Sequence, residues 1–369
     1  MTGQAMLKDL LADPRVSKDA RQHWPAWANG EISPEWPLFT WVAVQNMFTA
    51  YGDDHKRLRS LVSKAFTLRR SNALRPRIEQ ITEDLLAGFD AVEPGGVVDL
   101  RQGYAYPIPI QVICELFGVT DTAMRDGLHA CVDSIFHTSA DPEEVTATYT
   151  EIYRLLGELI ETKRQQPADD MTSGLIAAHD EDGDSRLSGQ ELADTLLLML
   201  SAGHETTVNL LDNALHALLT HPDQLALVRS GEVSWDDVID ETLRVQAPVA
   251  NLPLRYAVED IELAGTTIRK GEAILASYAA AGRDPEVHGP DADRFDATRA
   301  NKEHLSFGHG VHFCVGMSLA RLEATIALPA FFERYPDVAL AVAPDELRPV
   351  ESFISNGHRE LPVRLRPRG

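Results

Sequence analysis

Cysteine is scarce. The 369 residues hold three, Cys114, Cys131 and Cys314, too few and too odd in number for a disulfide framework, which points to a reducing cytoplasm. Long apolar runs are missing as well. The longest helical candidate, Leu196 to Ala202, falls far short of the roughly 20 residues that span a bilayer. The first twenty residues, with Lys8, Asp9 and Asp13 among them, lack the apolar stretch of a secretory signal. Basic charge is in the minority: 34 Lys and Arg against 56 Asp and Glu give a formal net charge of −22. That speaks against a nucleic-acid coat or a binder of anionic membranes. Internal repeats, low-complexity tracts and Gly/Ser linkers are absent too, so nothing divides the chain, and residues 1–369 read as one unit.

Helical periodicity fills much of the chain. Amphipathic patterns run over Ile78 to Val92, Val145 to Gln165, Leu192 to Leu219, Trp235 to Arg244 and Ser318 to Tyr335. Ser188 with Glu191, and Ser234 with Asp237, have the spacing of N-terminal capping boxes. Strand signals gather after residue 250, at Leu252 to Tyr256, Ile261 to Leu263, Thr267 to Ile268 and Ala273 to Tyr278, and Asn356-Gly357 predicts a hairpin near the end. The expected class is mainly α with a minor β region.

Three stretches admit two readings each. From His55 to Arg77 there are eight Lys and Arg and no acid; this is a solvated helix face or a surface for an acidic partner. Trp24, Trp27, Trp36 and Trp41 fall close together with Phe39, as core anchors of a loop or as a wall over a ligand pocket. Asp180, Asp182, Asp184 and Glu191 have the spacing of a calcium loop, but the sixth position is Ser185 where the turn requires Gly, so an acidic interhelix loop explains them better.

The strongest signal is Phe307-Gly308-His309-Gly310-Val311-His312-Phe313-Cys314-Val315-Gly316, directly before an amphipathic helix. A glycine-bearing loop presents one cysteine at a helix N-terminus, where amides and the helix dipole favour a thiolate. Gly308 and Gly310 permit positive φ, and Gly316 leaves room for a flat group against the loop. Three more patterns accompany it. Glu241 and Arg244 form E-x-x-R on one helix face; Ala202-Gly203-His204-Glu205-Thr206 interrupts an apolar helix with a glycine, an acid and a hydroxyl; His55 and Arg59 stand four apart.

Together these resemble the cytochrome P450 superfamily, the haem-thiolate monooxygenases, and the likeness runs from about Val16 to Pro362. The nearest members are the actinobacterial ones that oxidise steroids and macrolide-like compounds. The resemblance implies the family's triangular-prism fold, with a long central helix over haem b. Cys314 would ligate the iron, with Phe307, Gly308 and Gly316 in the loop beneath the porphyrin. His55, Arg59, Arg255 and His312 would hold the propionates. Thr206 would bond iron-bound oxygen, Glu205 would relay protons, and Gly203 would leave space for dioxygen and water. Glu241 and Arg244, with Arg294, would be structural. The implied reaction inserts one atom of O2 into an apolar small molecule such as a steroid, macrolactone or other polyketide. Electrons from NAD(P)H would pass through a ferredoxin reductase and a ferredoxin docked on Lys56, Arg57, Lys64 and Arg69. The substrate pocket is expected at Trp41, Met199, Ala202, Val249, Leu252 and Ile354. Family members normally carry about forty further residues first, so the initial helix and strand are expected to be missing. A haem sensor or carrier without turnover is the main rival, and a thiol hydrolase using Cys314 with His312 as base is a remote one.

Overall fold

A computed structural model describes residues 2–135, 141–180 and 187–365. Helices dominate it. The central helix, Gly189–Thr220, runs for 32 residues, about 48 Å at 1.5 Å per residue. A capping box fixes its start: the Glu191 amide donates to Ser188 Oγ at 3.1 Å, and the Ser188 amide to the Glu191 carboxylate at 2.6 Å. Ser234 and Asp237 cap Trp235–Val245 in the same way. The other helices foreseen from periodicity are Arg75–Phe89, Pro142–Gln165 and Met317–Arg334. Several start a turn earlier than their first apolar residue, because Pro and a capping side chain, as at Asp141-Pro142, set the start.

The central helix is buried on nearly every side, packed against Pro107–Phe117, Trp235–Val245, Met317–Arg334 and Pro142–Gln165. Its buried polar residues, Glu205, Asn209 and Asp212, therefore need partners inside the protein.

The β part is small. Val16–Ser17, Asn251–Ala257 and Ala273–Ser277 form an antiparallel sheet with Asn251–Ala257 in the middle, Ser17 facing Tyr256 and Arg255 facing Ile274. The register shifts between Leu252 and Arg255, where Pro253 has no N–H to give the ladder. Such an irregularity re-aims the next side chains, and Arg255 turns inward, buried.

The hairpin foreseen at Asn356-Gly357 is not formed as such. Only isolated bridges pair Val249 with Ser355 and Pro349 with His358. Asn356 spends its side chain on Gln246 Oε1 and the Ala247 carbonyl, both at 3.1 Å. A Cβ on Gly357 would stand 2.4 Å from Asn209 Oδ1, so this glycine serves close packing on the central helix instead of a turn.

At the other end of the chain, the helix Gln4–Ala12 lies against the loop that carries Cys314. Its Gln4 amide donates to Asp284 at 2.8 Å and Lys8 pairs with Glu303 at 2.5 Å. No described helix is long and apolar enough to cross a membrane. The calcium-like window at Asp180 to Glu191 lies largely outside the described residues.

Candidate active site

A cavity of about 1380 Å³, counting its open mouth, lies between the central helix and the start of Met317–Arg334. One wall is the cysteine loop. Gly308 and Gly310 hold φ of 72° and 70°, as positive-φ positions that any Cβ would strain. A Cβ on Gly310 would also meet the Leu11 carbonyl oxygen at 2.5 Å. The Cys314 amide donates to the Phe307 carbonyl at 2.8 Å, and Arg59 donates to the Phe313 carbonyl at 2.5 Å. Cys314 thereby faces the cavity, with Phe307, Gly308 and Gly316 beside it. Burial pushes its thiol up, against the pull of the Gly316 and Met317 amides and of Arg59. The amides expected to favour a thiolate are present, but desolvation by the surrounding walls outweighs them, even though the residue is exposed toward the cavity; a metal cation on sulfur reverses that balance.

The opposite wall is the central helix at Met199, Ala202, Gly203 and Thr206. Thr206 Oγ1 donates to the Ala202 carbonyl at 2.6 Å. Glu205 does not line the cavity. It is buried on another face, where Asn209 donates to its carboxylate at 3.0 Å and Arg101 stands 3.4 Å away. A helix turns by about 100° per residue, so neighbours 205 and 206 look in different directions. Gly203 lines the cavity too, but a Cβ on it would come 3.0 Å from Ile113 Cδ1; its bareness lets two helices close together.

At one edge of the cavity five basic groups converge: Lys18, His55, Arg59, Arg255 and His312. All but His55 line it. His55 sits behind His312, ring centroids 4.1 Å apart, and its Nε2 has no hydrogen-bond partner. Arg255 donates to the Tyr278 hydroxyl at 3.2 Å, but its Nη1 has none. Burial, with Arg59 nearby, lowers His55 to about 4. Burial and then Lys18, His55, Arg255 and Arg59 drive His312 far down. Among the described residues none of the five has a carboxylate partner. Buried cations need anions, so this cluster fits a ligand bearing two carboxylates, with a soft sulfur donor across the cavity. A haem answers that description.

Two expected pocket residues are set elsewhere. Trp41 stands behind Phe48, centroids 6.2 Å apart, and Phe48 and Met47 form the wall. Trp24 packs on Tyr256 and on Trp36, and Trp27 on Phe39, as core anchors. Ile354 is fully buried beside its carbonyl's bond to the Ala250 amide, while Val249 and Leu252 do line the cavity. Sequence reading missed Lys18, Met47, Phe48, Tyr278 and Glu323. Glu323 lines the cavity, buried and with Oε2 unpartnered, and burial raises its carboxyl well above the usual range; an acid between Leu319 and Ile326 on an apolar helix face was the available signal.

Glu241 and Arg244 form a fully buried pair at 2.7 Å, not a surface one. Arg244 also donates to the carbonyls of Gly282, Ala292 and Arg294. The guanidinium joining Glu241 is Arg299 at 3.5 Å, not Arg294, which offers its carbonyl instead. Much of the basic stretch is neutralised, partly by acids one turn away and partly by acids remote in sequence. Lys56 pairs with Asp53, Arg57 with Asp54 and Glu191, Arg70 with Asp169 and Arg77 with Glu115. Lys64 and Arg69 are exposed and have no ion pair among the described residues.

A mainly helical protein that sets a lone thiol and a cluster of basic groups without carboxylate partners around one apolar cavity defines a haem-thiolate scaffold. The chain belongs to the cytochrome P450 family, whose model matches residues 143–230 and 235–342. It is 47% identical over 367 residues to the 2-hydroxy-5-methyl-1-naphthoate 7-hydroxylase of Streptomyces carzinostaticus, covering 99% of this chain and 88% of that protein. The solved structure of CYP154A1 from Streptomyces coelicolor A3(2) matches with a TM-score of 0.93 at 56% identity, over 99% of this chain and 91% of that one. Testosterone-bound CYP154C4 from a Streptomyces species matches at 0.94 and 43% identity, over 100% and 89%. The protein is thus a P450 monooxygenase, of a family that carries haem on a cysteine thiolate.

Proposed function

We propose that residues 1–369 form one catalytic domain that inserts an oxygen atom from O2 into a C–H bond of a mid-sized polycyclic or macrocyclic molecule, a steroid, macrolactone or other polyketide. The observation that carries this reading is the pairing of Cys314 with a cavity whose remaining walls are mostly apolar. A hydroxylase of a naphthoate and a steroid-bound structure among the relatives support the substrate class.

Bound as haem b, the cofactor supplies the oxygen activation; the protein supplies its ligand, its orientation and a dry pocket. Cys314 ligates, with its loop held by the Phe307 and Arg59 hydrogen bonds. His55, Arg59, Arg255 and His312 hold the propionates. Met199, Ala202, Val249 and Leu252 exclude water from the substrate. Thr206 presents the hydroxyl at the cavity, and Glu205, one helix face away beside Arg101 and Asn209, relays protons to it by side-chain rotation or through water. Electrons come from NAD(P)H through a reductase and an acidic ferredoxin seated near Lys64 and Arg69, in the cytoplasm.

The test is spectroscopic. The reduced, carbon-monoxide-bound protein is expected to give the red-shifted Soret band of a thiolate-ligated haem, lost in Cys314→His. A steroid, macrolactone and flavonoid panel is then scored for displacement of iron-bound water. A spectrum typical of imidazole ligation in the unmodified protein overturns the reading.

A further inference from the structure

Lys18 is an unusual residue to find inside. It is 4% exposed, and lysine is almost never buried without a partner. Its Nζ has one hydrogen bond, to the Pro253 carbonyl at 3.3 Å, and lies 3.7 Å from the centroid of the Phe48 ring. The register that sets Ser17 against Tyr256 carries the next residue past Arg255. The charge that bears on Lys18 is cationic: after burial itself, Arg255 depresses its pKa, and both line the same cavity edge. The neighbouring Asp19 is committed to the amides of Arg21 and Gln22 as a helix cap. No local role accounts for an ammonium here, because a methionine fills the same apolar space without desolvating a charge.

Resting on the haem reading above, we propose that Lys18 is a further anchor for the cofactor, its ammonium ion-pairing with a porphyrin carboxylate alongside Arg255 and His312. The shared chemistry is a carboxylate reaching the cavity edge. The cation cluster around Lys18 favours the porphyrin as its source over an acidic substrate, since that cluster already calls for a dianion.

The experiment follows hemin release from the holoprotein to a haem scavenger, for protein loaded with hemin and with its dimethyl ester, which has no carboxylates. For Lys18→Met, hemin release is expected to quicken by roughly tenfold or more, the worth of one charged hydrogen bond. Release of the ester should match the unmodified protein's, and Lys18→Arg should retain hemin better than Lys18→Met. Hemin release unchanged in Lys18→Met overturns the proposal, as does equal quickening for both porphyrins, which would reflect packing. Unchanged hemin release with weakened binding of an aromatic carboxylate also overturns it and assigns Lys18 to the substrate. Failure of the unmodified protein to hold hemin at all sinks the haem reading itself, a separate outcome.

Discussion

His204 makes the protein acid-sensitive by an amount that the structure sets. It lies between Gly203 and Glu205, its ring fully buried, Nε2 3.3 Å from the Tyr106 carbonyl and Nδ1 without a partner. Tyr106 packs edge-on against it at 4.3 Å. Burial lowers its pKa from 6.5 to about 3. Below the unfolded value, the unfolded chain takes up a proton that the native ring refuses, so its share of stability is complete above pH 6.5 and is lost as pH falls toward 3. Each pH unit in that window is worth roughly 1.4 kcal/mol, which makes about 3 kcal/mol by pH 4. His216, lowered to about 4, adds a loss of the same sign in both proteins compared below. His204→Gln removes the titration and keeps a donor for Tyr106. Urea unfolding of both proteins from about pH 7 to about pH 4 should show the unmodified protein losing about 3 kcal/mol more than the variant. Parallel pH profiles would refute the reasoning.

Three further outcomes follow from the geometry. Arg244→Met takes from buried Glu241 its two guanidinium hydrogen bonds, leaving Arg299 at 3.5 Å and the Asp296 amide, and strips donors from three carbonyls. It should cost about 3–5 kcal/mol, seen by calorimetry as a melting temperature lower by about 4–6 °C at the unfolding entropy of a chain this long; Arg244→Lys should not restore it, since an ammonium cannot serve the same fork of partners. Thr206→Ala should keep the carbon-monoxide spectrum but divert reducing equivalents to peroxide, and unchanged coupling in a turnover assay removes Thr206 from proton handling. Reversing Lys64 and Arg69 to Glu should slow reduction by an acidic ferredoxin and flatten its salt dependence. The same reversal at Lys56 and Arg57, already paired to acids, should do less; equal effects contradict the assignment.

What the chain discloses unaided depends on how local the physics is. Ser188 and Glu191 meet within one helical turn, so the start of the central helix was legible, as was the turn of the cysteine loop, where Gly308 and Gly310 take positive φ. The direction of the Glu205 side chain, away from the cavity that Thr206 lines, was not legible, because a motif written on a line hides helical rotation. Part of the neutralisation of the basic stretch was hidden for another reason: Asp53 and Asp54 lie one turn away, but Glu191, Asp169 and Glu115 reach it only through tertiary packing. Arg299 replaced Arg294 likewise, since the chain fold decides which guanidinium faces Glu241. Lys18 carried no signal at all; a lysine beside a short strand is unremarkable until that strand is docked next to Arg255.

The tight approach of Gly310 to the Leu11 carbonyl ties the cysteine loop to a helix at the far end of the polypeptide. Disturbance there, from a fused tag or a loosened Lys8–Glu303 pair, would shift the Cys314 sulfur that is proposed to hold the haem. Its mark would be a broadened or mixed spin-state signal, with the pocket's own side chains untouched.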